Sequence, residues 1–431
     1  MKIREHGVRA ACLLGAAATA AALTLGPAQA QPGPTGSTTT TPFTTPNTDG
    51  CPQKTRPPAP IDSSEVPAPG ESAPAELPVP DKPIGGDRLG ECGVVLPVGA
   101  PSLPADISAT AWMVSDLDTG RVLAAKDPHG RYRPASTIKV ALAIVALRTL
   151  DLDKVVIGTQ ADADVDGTRV GIGPGGRYTN RQLMQALIMC SGNDAAHAIA
   201  TQLGGDKAAV AKMNDLAKSL RAMDTRAATP SGLDGPGMST SAYDLSVLFR
   251  EAMSIPLFAE FIHTEQVDFP GYPADPKIPD DNFDKADHPG FPIGNDNQLL
   301  YNYPGAIGGK TGFTDDARQT FVAAAERDGH RLVVTLLQAD VRPIRPWEQA
   351  ARLLDYGFAL DSDARIGKLP EVGDDLIQPS VPLASPPPRA DGSRPEVSRS
   401  AHEGARTAAL IAGPVVMLAL LLLARRAWRS R

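Results

Sequence analysis

Six residues constrain this chain more than any others: Pro134-Ala135-Ser136-Thr137-Ile138-Lys139, set directly before the apolar run 140–147. Proline suits the first position of a helix, and a run that is apolar nearly all round predicts a buried one. Ser136 and Lys139, three residues apart, then share a face of that helix. A serine hydroxyl is a weak nucleophile until a base takes its proton. A lysine serves as that base only when burial or a nearby cation lowers its pKa. A buried helix meets the first condition, and its N-terminus aims backbone N–H groups at a developing oxyanion. The plainer alternative is a capped helix with a lysine one turn in.

Two later motifs weigh against that alternative. Ser191-Gly192-Asn193 is the only S-x-N of the chain, and Lys310-Thr311-Gly312 is its only K-T-G. Chance supplies about one S-x-x-K in a chain of this size but roughly a few hundredths of a K-T-G. Together and in this order they point to a serine acyl-enzyme.

The chain divides by composition. Lys2, Arg4 and Arg9 precede an alanine-rich apolar stretch, and Ala28-Gln29-Ala30 offers small residues for cleavage. Residues 1–30 are therefore expected to be a secretory signal peptide. Residues 31–106 are rich in Pro, Thr, Ser and Gly without an apolar period, which predicts a mostly disordered extracytoplasmic linker. Residues 107–360 form the expected catalytic domain, and residues 361–407 a second, Pro-rich linker. Residues 408–424 are uncharged and about 25 Å long as a helix, the short end of a membrane span. Arg425, Arg426, Arg429 and Arg431 follow. The positive-inside rule makes 425–431 a cytoplasmic tail and puts the domain outside the plasma membrane, facing the cell wall.

Within the domain, 111–117 and 121–125 read as a hairpin around Asp118-Thr119-Gly120, and 319–326 with 330–338 as another. Thr179 and Gln182 form a capping box for a helix to about residue 189. Helices are also expected over 194–203, 207–222, 241–253 and 346–358, so Ser191-Gly192-Asn193 lies in a loop between two of them. The K-T-G segment falls at the sheet edge, and 270–294 is a long loop of the kind that borders a site. The fold class is α+β: an antiparallel sheet flanked by helices, with a helical subdomain and one C-terminal transmembrane helix.

The net charge of -7 gives no reason to expect a nucleic acid partner. The seven histidines form no H-E-x-x-H and the cysteines no C-x-x-C, so no metal site or cofactor is expected. Outside the signal peptide the cysteines are Cys51, Cys92 and Cys190. An extracytoplasmic setting predicts a Cys51–Cys92 disulfide and leaves Cys190 as a packing thiol.

From about residue 107 to 361 the chain resembles the low-molecular-mass penicillin-binding proteins that are D-alanyl-D-alanine carboxypeptidases, most of all the mycobacterial and related actinobacterial type. The three motifs carry the likeness, with Asp194-Ala195-Ala196, Met213-Asn214, Ser231-Gly232-Leu233 and the run from Gly309 to Thr314. The resemblance implies the penicillin-binding protein and serine β-lactamase-like fold. It implies removal of the terminal D-alanine from peptidoglycan pentapeptide stems, with β-lactam antibiotics as covalent inhibitors. It implies Ser136 as nucleophile, Lys139 as general base and Ser191 as proton relay to the departing D-alanine. Asn193 would hold the substrate amide and Lys139. Lys310 would keep Lys139 neutral and, with Thr311, bind the terminal carboxylate. Gly312 would let the strand approach, and the N–H groups of Ser136 and Phe313 would form the oxyanion hole.

Two departures stand out. Arg318 occupies a position where the family commonly has glycine, and linker stands where many members carry a β-rich domain. A class A β-lactamase resembles its relatives in an E-x-x-L-N segment, which none of Glu251, Glu260 and Glu265 begins. A transpeptidase or endopeptidase of the same fold remains an alternative, as does an inactive wall-binding scaffold; no catalytic residue has been lost to favour the scaffold.

Overall fold

Every residue of 111–116 is buried, so the strand they form has no wet face. That property governs the architecture of the computed structural model, which describes residues 45–274 and 287–372. Its strands are β1 Val94–Val95, β2 Ala111–Asp116, β3 Arg121–Lys126, β4 Val155–Ile157, β5 Arg177–Thr179, β6 Gln266–Phe269, β7 Phe291–Gly294, β8 Ala306–Thr314, β9 Arg318–Arg327, β10 His330–Ala339 and β11 Gly367–Lys368. Its helices are α1 Lys139–Thr149, α2 Gln160–Ala163, α3 Asn180–Met189, α4 Asn193–Gln202, α5 Asp206–Ser219, α6 Ala242–Met253, α7 Pro256–His263, α8 Gln298–Asn302 and α9 Pro346–Phe358.

The main sheet is antiparallel in the order β1-β3-β2-β10-β9-β8, with β11 also paired to β3. Successive side chains of a strand leave opposite faces. Met113, Val122, Val322, Ala324, Val333 and Leu337 therefore join the core under α1 and its helical neighbours. Trp112, Leu123, Phe321, Val334 and Leu336 join a second core under α9. The sheet is thus sandwiched between a thick helical layer and a thin one. Both expected hairpins form. In the first, Asp116 accepts the Asp118 and Thr119 N–H groups at 2.9 and 2.8 Å, and Gly120 takes φ 71°.

Helix α1 is buried from Lys139 to Ala146, as its all-round apolar pattern predicts. The capping box at Thr179 and the N-cap at Ser241 both form. Three features differ from expectation. Ser136 does not lie in the α-helix but on a short 3-10 turn, Ala135–Ile138, that leads into it. Part of the expected 270–294 loop is β7, which pairs with β6. Helix α7, entered through Pro256, had no counterpart in the sequence reading.

The largest correction concerns the expected linkers. Residues 45–106 are not a loose spacer but a strap laid over the domain. Composition misleads here because the strap builds no core of its own: Leu89 and Val95 join the core of the domain, β1 joins its sheet, and polar groups of the domain hold the rest. Buried Arg131 donates to the carbonyls of Thr55, Leu77 and Pro78 at 2.8, 2.6 and 2.9 Å. Lys126 donates to Pro46 O at 2.7 Å, and Arg226 to Ala75 O at 2.9 Å. A proline-rich chain has few N–H groups but a full set of carbonyls, which suits it to being held by cations. Cys51 and Cys92 are joined, with Cα atoms 5.2 Å apart. The second expected linker also begins late, because Ile366 and Leu369 are buried and Gly367–Lys368 extends the sheet. Among the described residues no helix is long and apolar enough to cross a membrane. The expected signal peptide, the 408–424 span and the 425–431 tail lie outside them.

Candidate active site

The turn bearing Ser136 is fixed from three sides. Pro134 O accepts from the Thr137 N–H, the Thr137 hydroxyl and, across from β9, the Thr320 hydroxyl at 2.8 Å. Ala135 is held at φ 47°, a left-handed conformation that disfavours any residue with a Cβ by about 1–2 kcal/mol. On a 3-10 turn residues i and i+3 eclipse, which brings Lys139 Nζ to 2.8 Å from Ser136 Oγ.

Lys139 has two further neighbours. Its Nζ lies 2.7 Å from Asn193 Oδ1 and 2.5 Å from Ser231 O. The amide of Asn193 cannot be reversed, because Nδ2 donates to Asp166 O at 2.7 Å. Lys139 is buried, and its pKa is held well below the ordinary lysine value. Burial is the main cause and the charge of Lys310 the second; Asp296 and Asp194 act in the opposite direction.

The Ser191-Gly192-Asn193 loop joins α3 to α4, as the sequence implies. Ser191 is buried at φ 60°, and Asn193 opens α4. Asp194 beside it is fully buried and accepts four backbone N–H groups: Val170 at 3.1, Gly171 at 2.8, Ile172 at 3.0 and Ala195 at 2.9 Å. That carboxylate ties the 166–172 loop to the start of α4, which is where Asn193 finds its own anchor. Cys190 donates its thiol to Gly294 O at 3.2 Å, and burial pushes its pKa up to about 11.

Lys310, Thr311 and Gly312 lie on β8, the edge strand, which faces the Ser136 turn. Lys310 is 1% exposed and lies 3.6 Å from Asp296 Oδ2, while the Thr311 hydroxyl donates to the same oxygen at 2.8 Å. Burial lowers the Lys310 pKa, and Asp296 opposes the shift. A Cβ at Gly312 would stand 2.9 Å from Ser136 N and 2.4 Å from Thr320 Oγ1, so only glycine allows this approach. Phe313 is exposed at the outer end of β8. A cavity of about 720 Å³ opens beside Thr311 and Asp296, between β9 and the segment that enters α9.

The structure therefore gathers Ser136, Lys139, Asn193, Lys310, Thr311 and Gly312 around one point, with Ser191 in the adjoining loop. Sequence reasoning assigned no role to Ser231, Asp296 or Asp194. Ser231 acts through its backbone carbonyl, which leaves no side-chain signature. Asp296 lies between two asparagines in a segment with no periodicity. Arg318 has φ 56° and pairs with Asp340. A glycine takes that conformation freely, which accounts physically for glycine being common there. The Arg318 side chain points to Asp340. Of the three glutamates weighed above, Glu251 is buried and paired with Arg148.

Known proteins resemble this chain in sequence and in fold. The sequence pattern of the D-alanyl-D-alanine carboxypeptidase family matches residues 98–341. The chain is 47% identical to D-alanyl-D-alanine carboxypeptidase DacB2 of Mycobacterium tuberculosis over 279 residues, covering 64% of this chain and 90% of that one. It is 28% identical to D-alanyl-D-alanine carboxypeptidase DacF of Bacillus subtilis, spanning 62% of that protein. Among solved structures, a D-alanyl-D-alanine carboxypeptidase of M. tuberculosis is similar with a TM-score of 0.58 and 46% identity, covering 64% of this chain and all of that one. The Streptomyces K15 DD-transpeptidase is similar with a TM-score of 0.54 and 28% identity, covering 61% of this chain and all of that one. On motif, fold and likeness together, the chain belongs to the D-alanyl-D-alanine carboxypeptidase family.

Proposed function

We propose that this chain removes the terminal D-alanine from peptidoglycan pentapeptide stems through an acyl-enzyme on Ser136, with Lys139 as general base. The surroundings of Lys139 Nζ carry the reading. A neutral amine has two hydrogens and one lone pair. Two of its three neighbours, Asn193 Oδ1 and Ser231 O, are pure acceptors and take the hydrogens. The lone pair then faces the third, the Ser136 hydroxyl 2.8 Å away. Burial and Lys310 favour that neutral amine.

The reaction follows from this arrangement. Lys139 takes the proton as Ser136 Oγ bonds to the carbonyl carbon between the last two D-alanines. The tetrahedral oxyanion is held by the N–H groups of Ser136 and Phe313. The C–N bond breaks, and the departing amine takes a proton passed on through Ser191. Lys310 and Thr311 hold the free carboxylate of the leaving D-alanine. Water, deprotonated in turn by Lys139, then hydrolyses the ester and restores the serine. A β-lactam presents a similar carbonyl, and its adduct keeps the leaving group tethered. The likeness to a DD-transpeptidase supports a second reading, in which an amine replaces water as acceptor.

Residues 1–30 as a signal peptide and 408–424 as a single anchor would place the domain outside the plasma membrane, within reach of the wall. The test is D-alanine release from a pentapeptide ending in D-Ala-D-Ala, using residues 31–406 and the Ser136→Ala variant. Release by the first alone establishes activity and nucleophile together. No release by either, with a penicillin adduct still formed on Ser136, would favour the transpeptidase.

A further inference from the structure

Residues 61–65 of the strap reach both walls of the site. The Ile61 N–H donates to Asp316 Oδ1 at 2.6 Å, and the Ser64 hydroxyl lies 3.5 Å from Asp316 Oδ2. Asp316 stands in the β8–β9 turn, three residues beyond Phe313. On the other side Glu65 pairs with Nε of Arg133, three residues before Ser136. Arg133 and Asp316 are both buried, so these are not loose rim charges. Asp234 lies between them, near Thr314, Arg133, Asp316 and Glu65.

What places this limb is informative. Ile61 and Val66 are 72% and 66% exposed, so apolar burial does not hold it. Its backbone N–H and its carboxylate do, one on each wall. The two walls meet at the nucleophile, where Gly312 packs on Ser136 N. The scissile carbonyl has to enter the gap between the Ser136 turn and the end of β8.

We propose that residues 61–65 staple the Ser136 turn to the β8–β9 turn and so set the width of that gap. Glu65 and Asp316 are then positioning residues, acting through Arg133 and through the outer end of β8. The inference rests on the site reading given above. A displacement of the order of 1 Å near a reacting centre lowers rates on the order of 100-fold.

The test is single-turnover acylation by benzylpenicillin, resolving the initial binding constant from the acylation rate. Variants are Asp316→Ala, Glu65→Ala, the double variant and the conservative Asp316→Asn, with urea midpoints measured alongside. A staple open at one end is open. Each single variant should therefore lose on the order of 10- to 100-fold in acylation rate, with initial binding little changed. The double should lose little more, and Asp316→Asn, which keeps an acceptor oxygen, should recover most of the rate. Losses that multiply in the double variant overturn the staple. So does wild-type acylation in variants whose urea midpoints have fallen, which marks ordinary packing. If Glu65→Ala does not fold, the Asp316→Ala and Asp316→Asn pair decides alone. Wild-type protein that is never acylated would overturn the site reading itself, whereas acylation equal in all forms overturns only the staple.

Discussion

Gly232→Ala tests whether the Ser231-Gly232 segment is jammed against the nucleophile turn. Gly232 has φ 89°, and a Cβ there would stand 2.1 Å from Ala135 O and 2.9 Å from Ser136 N. Ordinary contact begins at 3.4 Å, so the gap to Ala135 O has to open by about 1.3 Å (3.4 less 2.1). The three atoms nearest the new methyl, Ala135 O, Ala135 C and Ser136 N, are all backbone, and no side-chain rotation relieves them. The shift also carries Ser231 O away from Lys139 Nζ. Strain at positive φ and overpacking together destabilise by roughly 2–5 kcal/mol. The misplacement lowers acylation on the order of 100-fold. The assay is single-turnover labelling by a fluorescent penicillin, with urea unfolding in parallel. Gly329→Ala is the control, because φ there is 79° with nothing within 4 Å of the new methyl. It should lose about 1 kcal/mol of stability and no rate. A Gly232→Ala protein that is less stable yet acylates at the wild-type rate refutes the reasoning.

Three further outcomes are expected. Acylation should fall as pH drops through the depressed pKa of Lys139, and Lys310→Gln should move that limb to higher pH by removing a repelling charge; a limb that stays put argues against coupling of the two amines. Burial, opposed by the Tyr132 hydrogen bond, raises Asp127 from 3.8 to about 6, so folding stability from this group is present below pH 4 and is lost as pH rises through 6. Asp127→Asn should remove roughly 2 kcal/mol of that fall, read as the difference in urea stability between pH 4 and pH 7; parallel profiles for the two proteins would count against it. Reducing Cys51–Cys92, which closes a sequence separation of 41, should lower stability by up to about 4 kcal/mol, measured by urea unfolding with and without reductant.

The legibility of this protein in its sequence was uneven for physical reasons. Hairpins, capped helices and the three motifs are local patterns, and each appears where its pattern lies. Ser136 and Lys139 were legible as a pair because three residues of separation mean neighbours on either kind of helix. The partners of Lys139 were only half legible. Asn193 carries its function in a side chain, whereas Ser231 carries it in a carbonyl that any residue would supply. The strap was misread for the converse reason. Its composition reports truly that it builds no core of its own, but not that Leu89 and Val95 would enter the domain's core or that Arg131, Lys126 and Arg226 would hold its carbonyls from far along the chain. Burial of Ile366 and Leu369 at the domain end was hidden in the same way, among prolines and charges.

 

Because the strap is N-terminal, it is synthesised before anything it holds. Leu77 waits 54 residues for Arg131, and Ile61 waits 255 residues for Asp316. Contacts that distant close late, since the intervening chain has to surrender its freedom first. The Cys51–Cys92 bond spans far less chain and can close while the rest is still unmade. In the interval the proline-rich stretch is a poor partner for another molecule's sheet edge, because proline offers no N–H to pair. The segment that closes the site last is thus one that tolerates waiting.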